Sequence, residues 1–113
     1  AHVPEWLEKL CSQMRREENF RAGVERMQKL ACRTPGHLCK SFRRYLGKTP
    51  TDFVNELRIN HAARMLADSN IDILEIAEQL RFQSLSRFYS LFKRCYGMSP
   101  AAYRKLRGSE RAV

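Results

Sequence analysis

A chain of 113 residues and 13.3 kDa has room for one compact domain or two very small lobes, which excludes a multidomain enzyme. Its 43% hydrophobic residues are enough to build a core without staples, so disorder of the whole chain is excluded too. The 21 Lys and Arg against 12 Asp and Glu leave a formal charge of +9 and a pI near 9.9, and a polyanionic partner is the first expectation.

Apolar residues recur at helical spacing, Pro and Gly punctuate them, and no alternating run is long enough for a strand, so the predicted fold class is all-α. A first helix is predicted from about Pro4 to Arg16, with Trp6, Leu7, Leu10, Cys11 and Met14 on one face. A second follows from near Phe20 to Ala31 and carries Val24, Met27 and Leu30. Thr34-Pro35 reads as an N-cap followed by proline at the first helical position, and the helix it opens stops at Gly47. Thr49-Pro50 repeats that start and opens a long helix to about Ala67. Asp72 and Glu75 have the spacing of an acidic capping box, which places a short helix over Ile73 to Leu80. Ser84 caps the next helix, which ends at Gly97, and Ser99-Pro100 opens the seventh and last, to near Arg107. Gly108 to Val113 reads as a frayed tail.

The strongest organisational signal is an internal repeat of 50 residues. Thr34 matches Ser84, Leu38 matches Phe88, Phe42 matches Phe92, Arg43-Arg44 match Lys93-Arg94, Gly47 matches Gly97, Thr49-Pro50 match Ser99-Pro100, and Phe53 matches Tyr103. Before the caps the register slips by one, since Met27 pairs better with Ile76, and the two turns should differ slightly. The unit is a short helix, a tight turn and a second helix with a basic end, which is a helix-turn-helix present twice. The expected domains are a first subdomain over residues 1–48, a linker helix over 49–68 and a second subdomain over 69–113.

Charge follows the same plan, with net values of +2 over residues 1–34, +4 over 35–48, −4 over 49–80 and +7 over 81–113. Two basic blocks flanking an acidic middle are expected of a protein that touches one polyanion at two places, with plain solubility as the alternative. In a helix-turn-helix the second helix lies in the major groove, presents its early outward side chains to base edges and locks its other face to the domain. In the first copy Leu38, Phe42 and Tyr45 form the inward stripe, which leaves Pro35, Gly36, His37, Cys39, Lys40 and Arg43 outward. In the second copy Phe88, Leu91, Phe92 and Cys95 are expected inward, leaving Leu85, Ser86, Arg87, Tyr89, Ser90 and Arg94 outward. Arg87 is the best candidate for a base contact, because a guanidinium matches the two acceptors of guanine; a phosphate contact is the alternative. Arg43, Arg44, Lys93 and Arg94 come late in their helices and suit neutralisation of the DNA backbone. His37 is either a donor to base or phosphate or an ordinary surface imidazole.

The linker helix, about 17 residues and roughly 25 Å long, could set the two reading helices near one DNA turn apart, so that both enter successive major grooves on one face. Its Asp52, Glu56 and Asp68 should point away from phosphate, some of them paired with Arg58 or Arg64. The four cysteines, Cys11, Cys32, Cys39 and Cys95, show no metal-binding spacing and read as reduced, buried, small apolar groups, which suits a cytoplasmic protein. No metal and no cofactor is expected. No stretch approaches a membrane span and Ala1-His2-Val3-Pro4 is no leader, so a soluble, unsecreted protein is expected, and the start on Ala reads as a fragment of something longer. An enzyme is disfavoured: no nucleophile, acid–base pair or phosphate-cradling glycine loop falls at a usable spacing. The rival to duplex DNA binding is a basic helical module for RNA or an acidic protein partner.

Ile76-Ala77-Glu78-Gln79-Leu80-Arg81-Phe82, then Phe88, Phe92-Lys93, Gly97, Ser99-Pro100 and Tyr103-Arg104, preceded by Leu57-Arg58-Ile59, Ala62-Ala63 and Leu66, resemble the DNA-binding domain of the AraC/XylS transcription regulators. The resemblance covers nearly the whole chain. It implies seven helices with two helix-turn-helix motifs on a linker helix, sequence-specific binding of promoter DNA, contact with RNA polymerase, and a separate N-terminal effector-binding or dimerisation domain. Two departures stand out: Arg81 occupies the turn where the family usually has glycine, and Cys32-Arg33 stand where a glycine and an apolar residue are usual. The lead-in Pro4-Glu5-Trp6-Leu7 resembles the subset that regulates sugar use, of the chitobiose type.

Overall fold

A computed structural model describes residues 2–111. The described residues form eight helices and no strand: α1 (Glu5–Met14), α2 (Glu17–Ala22), α3 (Val24–Ala31), α4 (Pro35–Leu46), α5 (Pro50–Asp68), α6 (Ile73–Gln79), α7 (Leu85–Tyr96) and α8 (Pro100–Arg111). The all-α class holds, and the helix count rises from the expected seven because the stretch predicted as one helix from near Phe20 to Ala31 is divided between α2 and α3. Gly23, at φ +90°, breaks the chain between α2 and α3, a backbone angle that L side chains avoid. The buried Asn19 ties this corner together: its Nδ2 donates to the Gln13 carbonyl at 2.7 Å, and its Oδ1 accepts from Arg26 Nε at 3.0 Å. A buried amide with both ends satisfied costs little, whereas one left open costs about 1–3 kcal/mol.

The chain divides into two compact units, Ala1–Leu57 and Arg58–Val113, and the division falls inside α5. The two halves of α5 therefore belong to different cores. In the first unit Leu7, Leu10 and Met14 of α1, Met27 and Ala31 of α3, Leu38 and Phe42 of α4 and Phe53 and Val54 of α5 pack as one cluster. In the second unit Ile59, Ala62, Ala63 and Leu66 of α5 are buried with Ile76, Leu80, Phe88 and Phe92. Phe92 stacks on Tyr96 at 4.9 Å between ring centres and meets Tyr103 edge-on at 5.5 Å. The Tyr96 hydroxyl donates to Asn60 Oδ1 at 2.7 Å, and Arg104 Nε donates to the Leu66 carbonyl at 3.1 Å, so α7 and α8 are both bonded to the second half of α5. Burial raises the Tyr96 phenol above its ordinary pKa, which keeps the donor protonated.

Four expectations need correction. Asp72 makes no side-chain cap on α6; its carbonyl alone accepts, from the Ile76 N–H at 2.9 Å, and Glu75 instead meets Gln79 Nε2 at 3.5 Å. α8 does not fray at Gly108 but continues to Arg111, since one glycine inside a helix costs only about 1 kcal/mol relative to alanine; Ala112 and Val113 lie outside the described residues. Cys95 is exposed rather than inward, because the apolar stripe of α7 continues through the ring of Tyr96. Finally, Cys11 is the buried thiol, while Cys32, Cys39 and Cys95 are exposed. No helix among the described residues is long and apolar enough to cross a membrane.

Candidate nucleic-acid interface

The two units carry the same second helix, built from the same local signals 50 residues apart. Thr34 Oγ1 accepts the His37 N–H at 3.2 Å at the start of α4, and Ser84 Oγ accepts the Arg87 N–H at 3.1 Å at the start of α7. Each cap satisfies a backbone donor that the first turn leaves without a helical partner. Both helices stop on a left-handed glycine, Gly47 at φ +69° and Gly97 at φ +74°. A second pair of caps then opens the following helices, with Thr49 Oγ1 accepting from the Asp52 N–H and Ser99 Oγ from the Ala102 N–H, each at 3.1 Å.

Upstream of the caps the turns differ, and the structure shows how. Cys32 at φ +54° directly follows α3, whereas Arg81 at φ +61° is second after α6 and three residues before Ser84. Each sits in the left-handed position that opens the turn of its motif, and the second turn has one residue more between that position and the cap. That extra residue is the register slip between Met27 and Ile76. The departures from glycine at Cys32 and Arg81 are thus accommodated by two non-glycine residues at positive φ, a conformation costing about 1–2 kcal/mol each.

Inward packing leaves one free face on each helix. Leu38, Ser41 and Phe42 of α4 and Phe88, Leu91 and Phe92 of α7 are buried, and Tyr45 is half-buried. All fourteen predicted contact residues are exposed: Pro35, Gly36, His37, Cys39, Lys40, Arg43 and Arg44 on α4, and Leu85, Ser86, Arg87, Tyr89, Ser90, Lys93 and Arg94 on α7. Neither helix carries an acidic residue. Among the described residues, Lys40, Arg43, Arg87, Lys93 and Arg94 are engaged in no ion pair, so their charges are available to phosphate or base. Arg58, by contrast, is partly buried, and desolvation together with the nearby Arg81 guanidinium lowers its pKa from the ordinary arginine value.

Two of the three acidic residues of α5, Asp52 and Glu56, are occupied elsewhere. Asp52 closes a reciprocal cap with Thr49, whose N–H lies 3.4 Å from Asp52 Oδ2, and Glu56 bonds Lys48 Nζ at 2.7 Å. Arg64, one of the expected partners, instead lies against His61 Nδ1 at 3.3 Å. Sequence reasoning did not find the neighbours of His37: the Trp6 ring of α1 stacks on its imidazole at 5.7 Å, and the Arg33 guanidinium lies 3.7 Å from the Trp6 ring centre. The available signal was the single tryptophan in the chain.

Residues 27–106 match the family profile described as a helix-turn-helix domain. The melibiose operon regulatory protein of Escherichia coli K12 is 45% identical over 65 residues, which is 58% of this chain and 22% of that protein. The transcriptional regulator GlxA of Rhizobium meliloti is 35% identical over 98 residues, covering 81% of this chain and 30% of that protein. An AraC-type DNA-binding regulator structure from Chromobacterium violaceum superposes with a TM-score of 0.77 at 24% identity, over 90% of this chain and 91% of that one. The C-terminal domain of AraT, a response regulator of Geobacillus stearothermophilus, gives the same TM-score at 21% identity over 94% of this chain and 88% of that one. The chain spans less than a third of these two curated relatives. A doubled helix-turn-helix, each copy with an exposed, cationic, acid-free helix face, defines a module of the DNA-binding helix-turn-helix class. The chain belongs to the helix-turn-helix family that its residues 27–106 match, and its fold is that of the AraC-type structure.

Proposed function

We propose that the exposed faces of α4 and α7 enter successive major grooves of one promoter duplex, with α5 as the spacer between them. The observation that carries this reading is the recurrence, 50 residues apart, of one capped, cationic, acid-free helix face in each unit. At about 1.5 Å per residue the 19 residues of α5 span roughly 28 Å, on the scale of the approximately 34 Å turn of B-DNA. The site read in this way is asymmetric and about two turns long. Arg87, in the first turn of α7, reads guanine; Pro35, Gly36, His37, Cys39, Lys40, Leu85, Ser86, Tyr89 and Ser90 line the two faces; Arg43, Arg44, Lys93 and Arg94 hold phosphates.

In the full-length protein this module works in the cytoplasm beside an N-terminal effector-binding or dimerisation domain and contacts RNA polymerase at the promoter. The similarity to a melibiose operon regulator supports an operon of sugar use. The test is competition at fixed salt: a duplex selected by the chain from a random pool should compete at least a hundredfold better than random duplex. Arg87→Ala should then relax the preference at one base pair at a cost of roughly 1–3 kcal/mol, while Arg94→Ala weakens every duplex alike. Uniform loss with Arg87→Ala removes it as a reader.

A further inference from the structure

The reading face of α7 carries two large apolar side chains that its counterpart on α4 lacks. Leu85 and Tyr89 are each 38% exposed, one helical turn apart on the same side, whereas the matching positions of α4 hold Pro35 and Cys39. Between and beyond them lie Arg87, Lys93 and Arg94, and no acidic residue occurs on the helix. An exposed apolar pair framed by unpaired cations fits a surface that is polyanionic at its edges and apolar at one spot in the middle. The floor of the major groove has one such feature, the 5-methyl group of thymine, flanked on both sides by phosphates. We infer that Leu85, with the ring of Tyr89 beside it, reads thymine methyl groups, so that the second unit selects a T-containing half of the site by apolar contact. The first unit, with no equivalent pair, makes no such selection.

This inference rests on the reading that α7 faces the duplex, and the two fail differently. Duplexes selected by the chain from a random pool should contain thymine in the half bound by the second unit; enrichment of a site without thymine there overturns the inference. The selected duplex is then made with uracil in place of thymine, which removes only the methyl group. Affinity should drop about fourfold for each methyl in contact, from the transfer free energy of one buried carbon. With Leu85→Ala the thymine-to-uracil ratio should collapse toward one, and with Leu85→Met, which keeps the apolar bulk, it should persist. Because Leu85 is exposed, neither variant should disturb folding, which circular dichroism checks. Specific binding with equal affinity for the two duplexes overturns methyl reading alone. A ratio unchanged by Leu85→Ala also overturns it, since the methyl group would then act through duplex shape. If the selected duplex competes no better than a scrambled one, the groove reading fails and the inference with it.

Discussion

Two side chains sit where a glycine would be easier, and each marks a measurable consequence. Arg81 and Cys32 hold left-handed backbone at φ +61° and +54°, at the turns of the two motifs. Replacing Arg81 with glycine removes the steric cost of that conformation, offset in part by the greater freedom glycine gains when unfolded. Arg81→Gly should therefore stabilise the chain by about 0.5–1 kcal/mol, read as a higher urea midpoint at unchanged m-value; a lower midpoint would show that the guanidinium does more for the fold than its backbone costs. The thiols divide on similar local grounds. Cys11 is buried, and its pKa is raised, chiefly by desolvation. Less thiolate and no access make it slow to alkylate, whereas the exposed Cys32, Cys39 and Cys95 react in the folded state. Mass spectrometry after brief alkylation at neutral pH should find three labels on the native chain and a fourth only after unfolding.

Helices α4 and α7 owe their limits to a serine or threonine at one end and a glycine at the other, and these should be separable experimentally. A Cβ added at Gly97 meets nothing within 4 Å, so Gly97→Ala incurs conformational strain alone. The cost should be about 1 kcal/mol or slightly more, and Gly97→Asn should cost less because asparagine tolerates the left-handed region. Ser84→Ala leaves the Arg87 N–H without its 3.1 Å acceptor and should lose about 1 kcal/mol as well. Denaturant melts of the three variants check this; a neutral Ser84→Ala would show that water replaces the cap. These elements were legible in the sequence because capping and glycine stops are set by neighbours a few residues away. The break at Gly23 was less so, since a lone glycine in an apolar-periodic stretch is compatible with an unbroken helix until the Asn19 corner around it is known.

For the molecule as a whole, charge decides how binding responds to salt. If Arg43, Arg44, Lys93 and Arg94 each neutralise one phosphate, the logarithm of affinity for random duplex should fall against that of salt with a slope of about −3.6, and Arg94→Ala should bring it nearer −2.7. Filter binding or fluorescence anisotropy over 50 to 200 mM salt measures it, and an unchanged slope would remove Arg94 from the phosphate contacts. The chain order of its amino acids alone determined the all-α class, the 50-residue repeat, the caps and stops of α4 and α7, and the exposed face of each, because period, capping and charge are local properties. Three-dimensional packing decided the rest. Which thiol is buried, that Tyr96 rather than Cys95 completes the stripe of α7, and that α5 serves two cores all depend on residues distant in the chain meeting across helices. Periodicity says that a helix has an inner face; only the partner helix fixes which side chains fill it.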